Sequence, residues 1–205
     1  MNNIRDILPV LLTDLQNLRP LEIAGVFFGL VSVLFERKGN VLLFPTGIVS
    51  VIIYVFLCFR SRLYADMAIN IYYFVVSLYG WYYWIHKGSS GRPVPVTRCG
   101  NRELLNYLLI LAGSFVVLFI VLKYFTDSDV PLVDATTTAL FFVGMLLLAR
   151  KKIENWIAWI FGNFISIPLY FYKGLVLTSI QFLVFFILSI SGYLVWKKLL
   201  VQEET

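Results

Sequence analysis

Seven apolar runs, each close to the roughly 20 residues that cross a hydrocarbon core, leave this chain few folds to choose from. They fall at 21–36, 41–59, 65–86, 104–125, 131–149, 153–172 and 175–196. Inside lipid no water is available to backbone N–H and C=O groups, so a spanning segment must satisfy them internally, and runs of this length do so as α-helices. The first run is short and is extended by Leu18, Arg19 and Pro20 at the interface. Composition agrees: 60% of the residues are apolar and 14% charged, with a mean hydropathy of +0.82, far from soluble averages. The stretch Leu8 to Leu12, flanked by Asp6 and Asp14, is too short to span and has no small-residue cleavage site. It reads as an interfacial helix rather than a signal peptide.

An odd number of spans puts the two termini on opposite sides. Arg37, Lys38, Lys87, Arg92, Arg98, Arg102, Arg150, Lys151, Lys152, Lys197 and Lys198 fall on the C-terminal side, leaving Arg5, Arg19, Arg60, Arg62, Lys123 and Lys173 on the other. The positive-inside rule then expects a cytoplasmic C-terminus and an outside N-terminus. The net charge of +5 belongs to this topology and to the cytoplasmic leaflet, not to nucleic acid, because it is spread over short loops and the tail. The longest loop, Gly88 to Arg102 with Pro93 and Pro95, is expected to be cytoplasmic and flexible.

The chain also nearly repeats itself in the same direction. Residues 21–86 and 134–197 align at an offset of 115, pairing Ala24 with Ala139, Phe27 with Phe142, Gly29 with Gly144, Asn40 with Asn155 and Gly47 with Gly162. After a three-residue length change the offset becomes 112 and pairs Leu63 with Leu175, Asp66 with Thr178, Ser77 with Ser189, Gly80 with Gly192 and Trp84 with Trp196. The fourth run has no repeat partner; its single crossing keeps the two three-helix units parallel, related by an axis along the membrane normal. The expected architecture is an all-α membrane protein of seven transmembrane helices, 3+1+3. An N-terminal segment (1–20) precedes a first bundle (21–86), a loop (87–103), the linking helix and its loop (104–130), a second bundle (131–197) and a tail (198–205).

Polar residues inside spans are costly, on the order of 3 kcal/mol for an ionisable group at the bilayer centre, so their placement bears on function. Asp66, Asn70, Tyr73, Ser77, Gly80 and Trp84 follow one another at helical spacing on the third span; Trp156, Trp159, Asn163, Ser166 and Tyr170 do so on the sixth, and Thr178, Gln181 and Phe185 on the seventh. These stripes are expected to enclose one aromatic, hydrogen-bonding cavity. Indole and phenol faces attract cations and flat rings, and amides read hydroxyls and carboxamides, so a hydroxylated, aromatic, cationic vitamin fits. The plainer readings stand beside this one. Trp81, Trp84, Trp156 and Trp196 sit near span ends, where interfacial tryptophans belong, and Asn163, Asn70 and Gln181 are also placed to join helices by hydrogen bonds. Pro45-Thr46-Gly47, and Gly162 with Pro168, lie in corresponding helices and read either as hinges or as static kinks.

The segments Phe44-Pro45-Thr46-Gly47, Leu63-Tyr64-Ala65-Asp66 through Asn70-Ile71-Tyr72-Tyr73, Tyr79-Gly80-Trp81, and Asn155-Trp156-Ile157-Ala158-Trp159 through Ile165-Ser166-Ile167-Pro168-Leu169-Tyr170-Phe171-Tyr172-Lys173-Gly174 resemble the PnuC family of vitamin transporters over about residues 21–198. The resemblance implies two three-helix bundles around a linking helix, an enlarged relative of the sugar-transporting SWEET proteins. It further implies facilitated diffusion of nicotinamide riboside across the bacterial inner membrane, trapping by a separate cytoplasmic kinase, and homo-oligomers, trimers among them. The family's Trp-rich motif maps onto Trp156, Trp159 and Asn163. Asn70, Tyr73, Thr178, Gln181, Tyr170 and Ser166 complete the candidate substrate-binding set by helical facing.

Other classes are weaker. The chain has no Gly-x-x-x-x-Gly-Lys-Ser/Thr phosphate loop, and neither cysteine, Cys58 or Cys99, has metal-ligand spacing. The single histidine, His86, lies at a helix end and not in a catalytic constellation. A photoreceptor would need a lysine inside the last span, and only Lys197 and Lys198 occur, at its end. No acidic residue falls in the middle of a span, which favours uniport over ion coupling. A phosphate would need cations that the stripes lack, which favours a riboside over a mononucleotide. Thiamine, another flat cationic vitamin, is the rival substrate. No cofactor and no metal site are expected.

Overall fold

The computed structural model describes residues 20–60, 62–87 and 94–204; the segment expected to form an interfacial helix around Leu8 to Leu12 lies outside them. Seven helices are described: α1 (Pro20–Arg37), α2 (Leu43–Arg60), α3 (Tyr64–His86), α4 (Asn101–Phe125), α5 (Pro131–Ala149), α6 (Glu154–Tyr172) and α7 (Val176–Glu204). Of these, α2, α4, α5 and residues Val176–Val201 of α7 are long and apolar enough to span by composition alone. The other three are more polar for identifiable reasons: α1 contains Glu22, Glu36 and Arg37, and α3 and α6 hold the polar stripes.

The helix neighbours define a ring. α2 lies between α1 and α3, α6 lies between α5 and α7, and the two units meet at an α3–α5 seam and an α1–α7 seam. Exchanging the units turns one seam into the other, which is the signature of a two-fold axis along the bundle. α4 touches α5 alone among the helices and buries no residue, so it stands outside the ring. This is the 3+1+3 layout.

The register of the repeat differs from the one that residue identities suggest. The structure superposes the units at an offset of 112 from end to end. The chain turns in left-handed backbone at Gly39 and Lys151, and again at Arg62 and Gly174. The turn hydrogen bonds match pair by pair: Gly39 N to Glu36 O and Lys151 N to Leu148 O (both 2.8 Å), Leu63 N to Cys58 O and Leu175 N to Tyr170 O (both 2.9 Å). The apparent 115 offset in the first half arises because the units place the glycine on opposite sides of the same contact. Gly47 faces Ser32 in the first unit, whereas its counterpart Trp159 faces Gly144 in the second. Likewise Gly29 faces Ser50, and the counterpart pair is Phe141 over Gly162. Aligning glycine with glycine therefore pairs residues of two neighbouring contacts, three positions out of register.

The core is concentrated at the end of the bundle that carries Arg37, Arg150 and Lys197, here termed the basic end. Phe44, Trp84, Trp156 and Trp196 are buried there with Leu148, Ile153 and Leu200. Phe44 meets Trp84 edge to face at 5.1 Å, and the counterpart pair Trp156 and Trp196 does so at 5.6 Å. Trp84 Nε1 donates to Leu148 O (3.2 Å) and Trp196 Nε1 to Glu36 O (3.0 Å), one bond across each seam. These three tryptophans are thus not an interfacial belt. A buried indole N–H needs one acceptor, and the last carbonyls of α1 and α5, which receive no N–H from within their own helices, provide it for Trp84 and Trp196.

The loop before α4 is also more ordered than its Pro and Gly content suggests. From Val94 onward it is pinned: Val94 and Val96 are buried, Thr97 pairs with Lys151 and Ile153 backbone, and Lys151 Nζ donates to Val94 O at 2.7 Å. Pro45 lies in the first turn of α2, where its missing N–H has no intrahelical role, so it supplies no hinge. Pro168 is interior to α6.

Candidate substrate cavity

All six ring helices, and not α4, line one cavity of about 500 Å³, within the range of small-molecule sites. α3 contributes Asp66, Asn70, Tyr73 and Ser77; α6 contributes Trp156, Trp159, Asn163 and Tyr170; α7 contributes Gln181, Phe182, Phe185 and Ser189. Seven of the nine residues proposed from the sequence therefore converge: Trp159, Asn163, Asn70, Tyr73, Gln181, Tyr170 and Trp156. Ser166 and Thr178 do not. Ser166 is fully buried, its Oγ has no hydrogen-bond partner among the described residues, and it is not part of the cavity lining. Thr178 lies in the first turn of α7, outside the lining.

Several features were not foreseen. Phe141 and Phe182 extend Trp159 and Tyr170 into one aromatic wall: Trp159 to Phe141 at 5.7 Å, Phe141 to Phe182 stacked at 6.0 Å, and Phe182 to Tyr170 stacked at 4.8 Å. Their sequence signal was spacing within apolar runs, which does not distinguish a cavity wall from a lipid face. Polar groups share the lining. Asn163, 5% exposed, donates through Nδ2 to Ser189 Oγ at 3.1 Å, and Ser189 Oγ donates to Phe185 O at 2.7 Å. Asn70 Nδ2 donates within its helix to Asp66 O at 2.9 Å. Trp156 is fully buried, and its Nε1–H has no partner among the described residues.

The second omission is Glu36, which the sequence places at a span end but the structure places in the cavity, 5% exposed. Its Oε1 accepts from Trp159 Nε1 at 2.9 Å. Asp66 lines the opposite end, near a rim where Lys173 Nζ pairs with Asp134 Oδ1 at 2.7 Å. The lining thus holds two carboxyl groups, amides, hydroxyls and aromatic faces, and no Lys, Arg or His. Such a surface suits a flat, hydroxylated solute carrying positive charge, and it offers no cation to a phosphate.

Two parallel three-helix units closed around a polar, aromatic cavity at their interface define a solute transporter of the membrane. The chain matches the family model described as "Nicotinamide mononucleotide transporter" over residues 19–198, and it belongs to that family, the PnuC transporters. It is 21% identical to the nicotinamide riboside transporter PnuC of Escherichia coli (strain K12), over 86% of this chain and 84% of that protein. It is 26% identical to the nicotinamide riboside transporter PnuC of Neisseria mucosa, over 86% of this chain and 71% of that one. Its fold is shared with the crystal structure of the vitamin B3 transporter PnuC, with a TM-score of 0.72, 23% identity, and coverage of 96% of this chain and 88% of that chain.

Proposed function

We propose that this chain carries nicotinamide riboside into the cytoplasm across the bacterial inner membrane by uniport with alternating access. A separate kinase then traps the riboside as its phosphate. The observation that carries this reading is the charge of the cavity lining: two carboxyl groups and no cation. Nicotinamide riboside is a pyridinium cation with ribose hydroxyls and a carboxamide. Its mononucleotide adds a phosphate, which would sit unpaired among Glu36 and Asp66. Trp159, Phe141 and Phe182 are the stacking surfaces for the ring. Asn163, Gln181 and Asn70 are the hydrogen-bonding groups for ribose and carboxamide.

The orientation that belongs to this proposal puts the basic end, with Arg37, Arg150 and Lys197, in the cytoplasm and Asp66 at the outer mouth. Access would alternate by rocking of the two units about the α3–α5 and α1–α7 seams, where each unit is held by few side-chain bonds such as Tyr72 OH to Phe142 O (2.9 Å). An oligomer, for which the resemblance implies a trimer, would use α4, whose outer face no other described helix covers.

Calorimetric titration of the purified chain with nicotinamide riboside, its mononucleotide, thiamine and riboflavin tests the substrate. Saturable binding of the riboside alone is expected. Thiamine is the second reading, favoured by the same acidic lining, and its binding in place of the riboside would keep the fold and mechanism but replace the substrate.

A further inference from the structure

Glu36 differs from its counterpart Leu148 in bringing a carboxyl to the cavity. Its backbone carbonyl has a structural task, accepting Trp196 Nε1 across the α1–α7 seam. The counterpart of that bond, Trp84 Nε1 to Leu148 O, is made by a leucine that lines the same cavity from the other unit. The position therefore tolerates an apolar side chain, and the carboxyl is additional. Its one side-chain hydrogen bond is to Trp159 Nε1, and Trp159 in turn has Gly47 as its counterpart, so this acid–indole pair, which joins the two units, is not repeated by the two-fold arrangement.

The carboxyl also lacks a counter-charge. The ion pairs among the described residues are Lys152–Glu103 and Lys173–Asp134, neither of which includes Glu36. The buried Lys151, one turn beyond α5, directs its Nζ to Val94 O at 2.7 Å and over the Trp84 ring at 4.3 Å. A carboxylate removed from water without a cation is costly, and the side of Glu36 left open is the cavity. The hydrogen bond holds the carboxyl against the edge of the Trp159 indole, so a flat cation stacked on that indole face lies beside it.

We propose that Glu36 is the fixed counter-charge of the transport site, holding a cationic ring against Trp159 and selecting cationic over neutral vitamins of the same shape. This rests on the reading of the chain as a vitamin transporter and adds the feature that sets its charge specificity. The test is equilibrium binding to the full chain of nicotinamide riboside and of its reduced dihydropyridine form, which has the same ribose and carboxamide but no ring charge, with thiamine and riboflavin alongside. The wild type is expected to prefer the cationic nucleoside by ~10-fold or more, as loss of one partner of a desolvated charge pair implies. Glu36→Gln, which keeps an acceptor for Trp159 Nε1, is expected to weaken the cation ~10-fold or more and to leave the neutral form within about twofold. An equal loss for both forms would make Glu36 a positioning residue for Trp159, and no loss for either would remove it from the site; both results overturn the proposal. If Glu36→Gln does not fold, the wild type still decides, because equal affinity for the charged and reduced nucleosides overturns it without any variant. Should the wild type bind thiamine and not the riboside, the substrate reading fails while the effect of Glu36→Gln on thiamine still judges the counter-charge. Binding of neutral riboflavin alone overturns both.

Discussion

Burial separates the use made of Trp84 and Trp196 from that made of Trp159. Trp84 and Trp196 are 5% and 0% exposed and each donates its indole N–H across a seam; Trp159 is half-buried and turns a ring face to the cavity. Trp84→Phe and Trp196→Phe should each lower thermal stability by about 1 kcal/mol, the net worth of a buried hydrogen bond, with substrate affinity little changed. Trp159→Ala should instead weaken substrate binding by ~1–2 kcal/mol through loss of stacking and cation–π attraction in a variant that folds; unchanged affinity in calorimetry would remove Trp159 from the site. Cys99 gives a third check. Burial pushes its thiol up to about 12, with the Glu154 carboxylate adding to the effect, so the reactive thiolate is scarce at neutral pH. Maleimide labelling of Cys99 at pH 8 should be slow until the protein is unfolded. At this scale the sequence was informative where chemistry stands out from an apolar background, as at Trp159, Asn163 and Gln181. It was silent on Glu36 for a physical reason: next to Arg37 and Lys38 an acid looks like the start of a solvated loop. An offset of 115 pairs it with the loop residue Lys151 and hides its true counterpart Leu148, a residue of the cavity wall.

Element boundaries were legible to within a few residues because hydropathy and membrane thickness set them together, except at the end of α7, which continues to Glu204 through the segment expected as a tail. The register between repeated elements was not, because a close helix contact needs one glycine and does not fix which helix supplies it. Gly47 with Ser32 and Trp159 with Gly144 fill the same contact with different residues. Backbone conformation preserves the register better, and the corners test this directly. Arg62 and Gly174 are counterparts, at φ 59 and φ 77. Nothing lies within 4 Å of where a Cβ would sit on Gly174. Gly174→Ala should therefore cost roughly 1 kcal/mol through the left-handed backbone alone, and Arg62→Gly should gain a similar amount. Paired thermal unfolding curves would measure both, and a neutral Gly174→Ala would mean that the corner relaxes out of that conformation.

At the scale of the whole molecule, a ring of six helices with one side-chain carboxyl at each end of its cavity bears on how transport is driven. The expectation of uniport began from the absence of acids in the middle of the spans; Glu36 and Asp66 in the lining mean that the case must now be made on charge balance instead. If the carrier moves a cationic riboside and returns with Glu36 still charged, each cycle transfers one positive charge. A negative interior potential then drives accumulation, worth about 2.3 kcal/mol per 100 mV, or ~50-fold at equilibrium for that potential. If Glu36 instead returns protonated, the proton leaves as the cation enters, the cycle is electroneutral, and a pH gradient takes the place of the potential. Proteoliposomes separate the two. With a potassium gradient and valinomycin setting a negative interior, uniport predicts faster uptake and accumulation towards that ratio, with no acidification outside. The dihydropyridine nucleoside, if carried at all, should reach equal concentrations on both sides whatever the potential. Potential-independent uptake of the cation accompanied by outward proton movement would reject uniport and assign Glu36 a carrier role for protons.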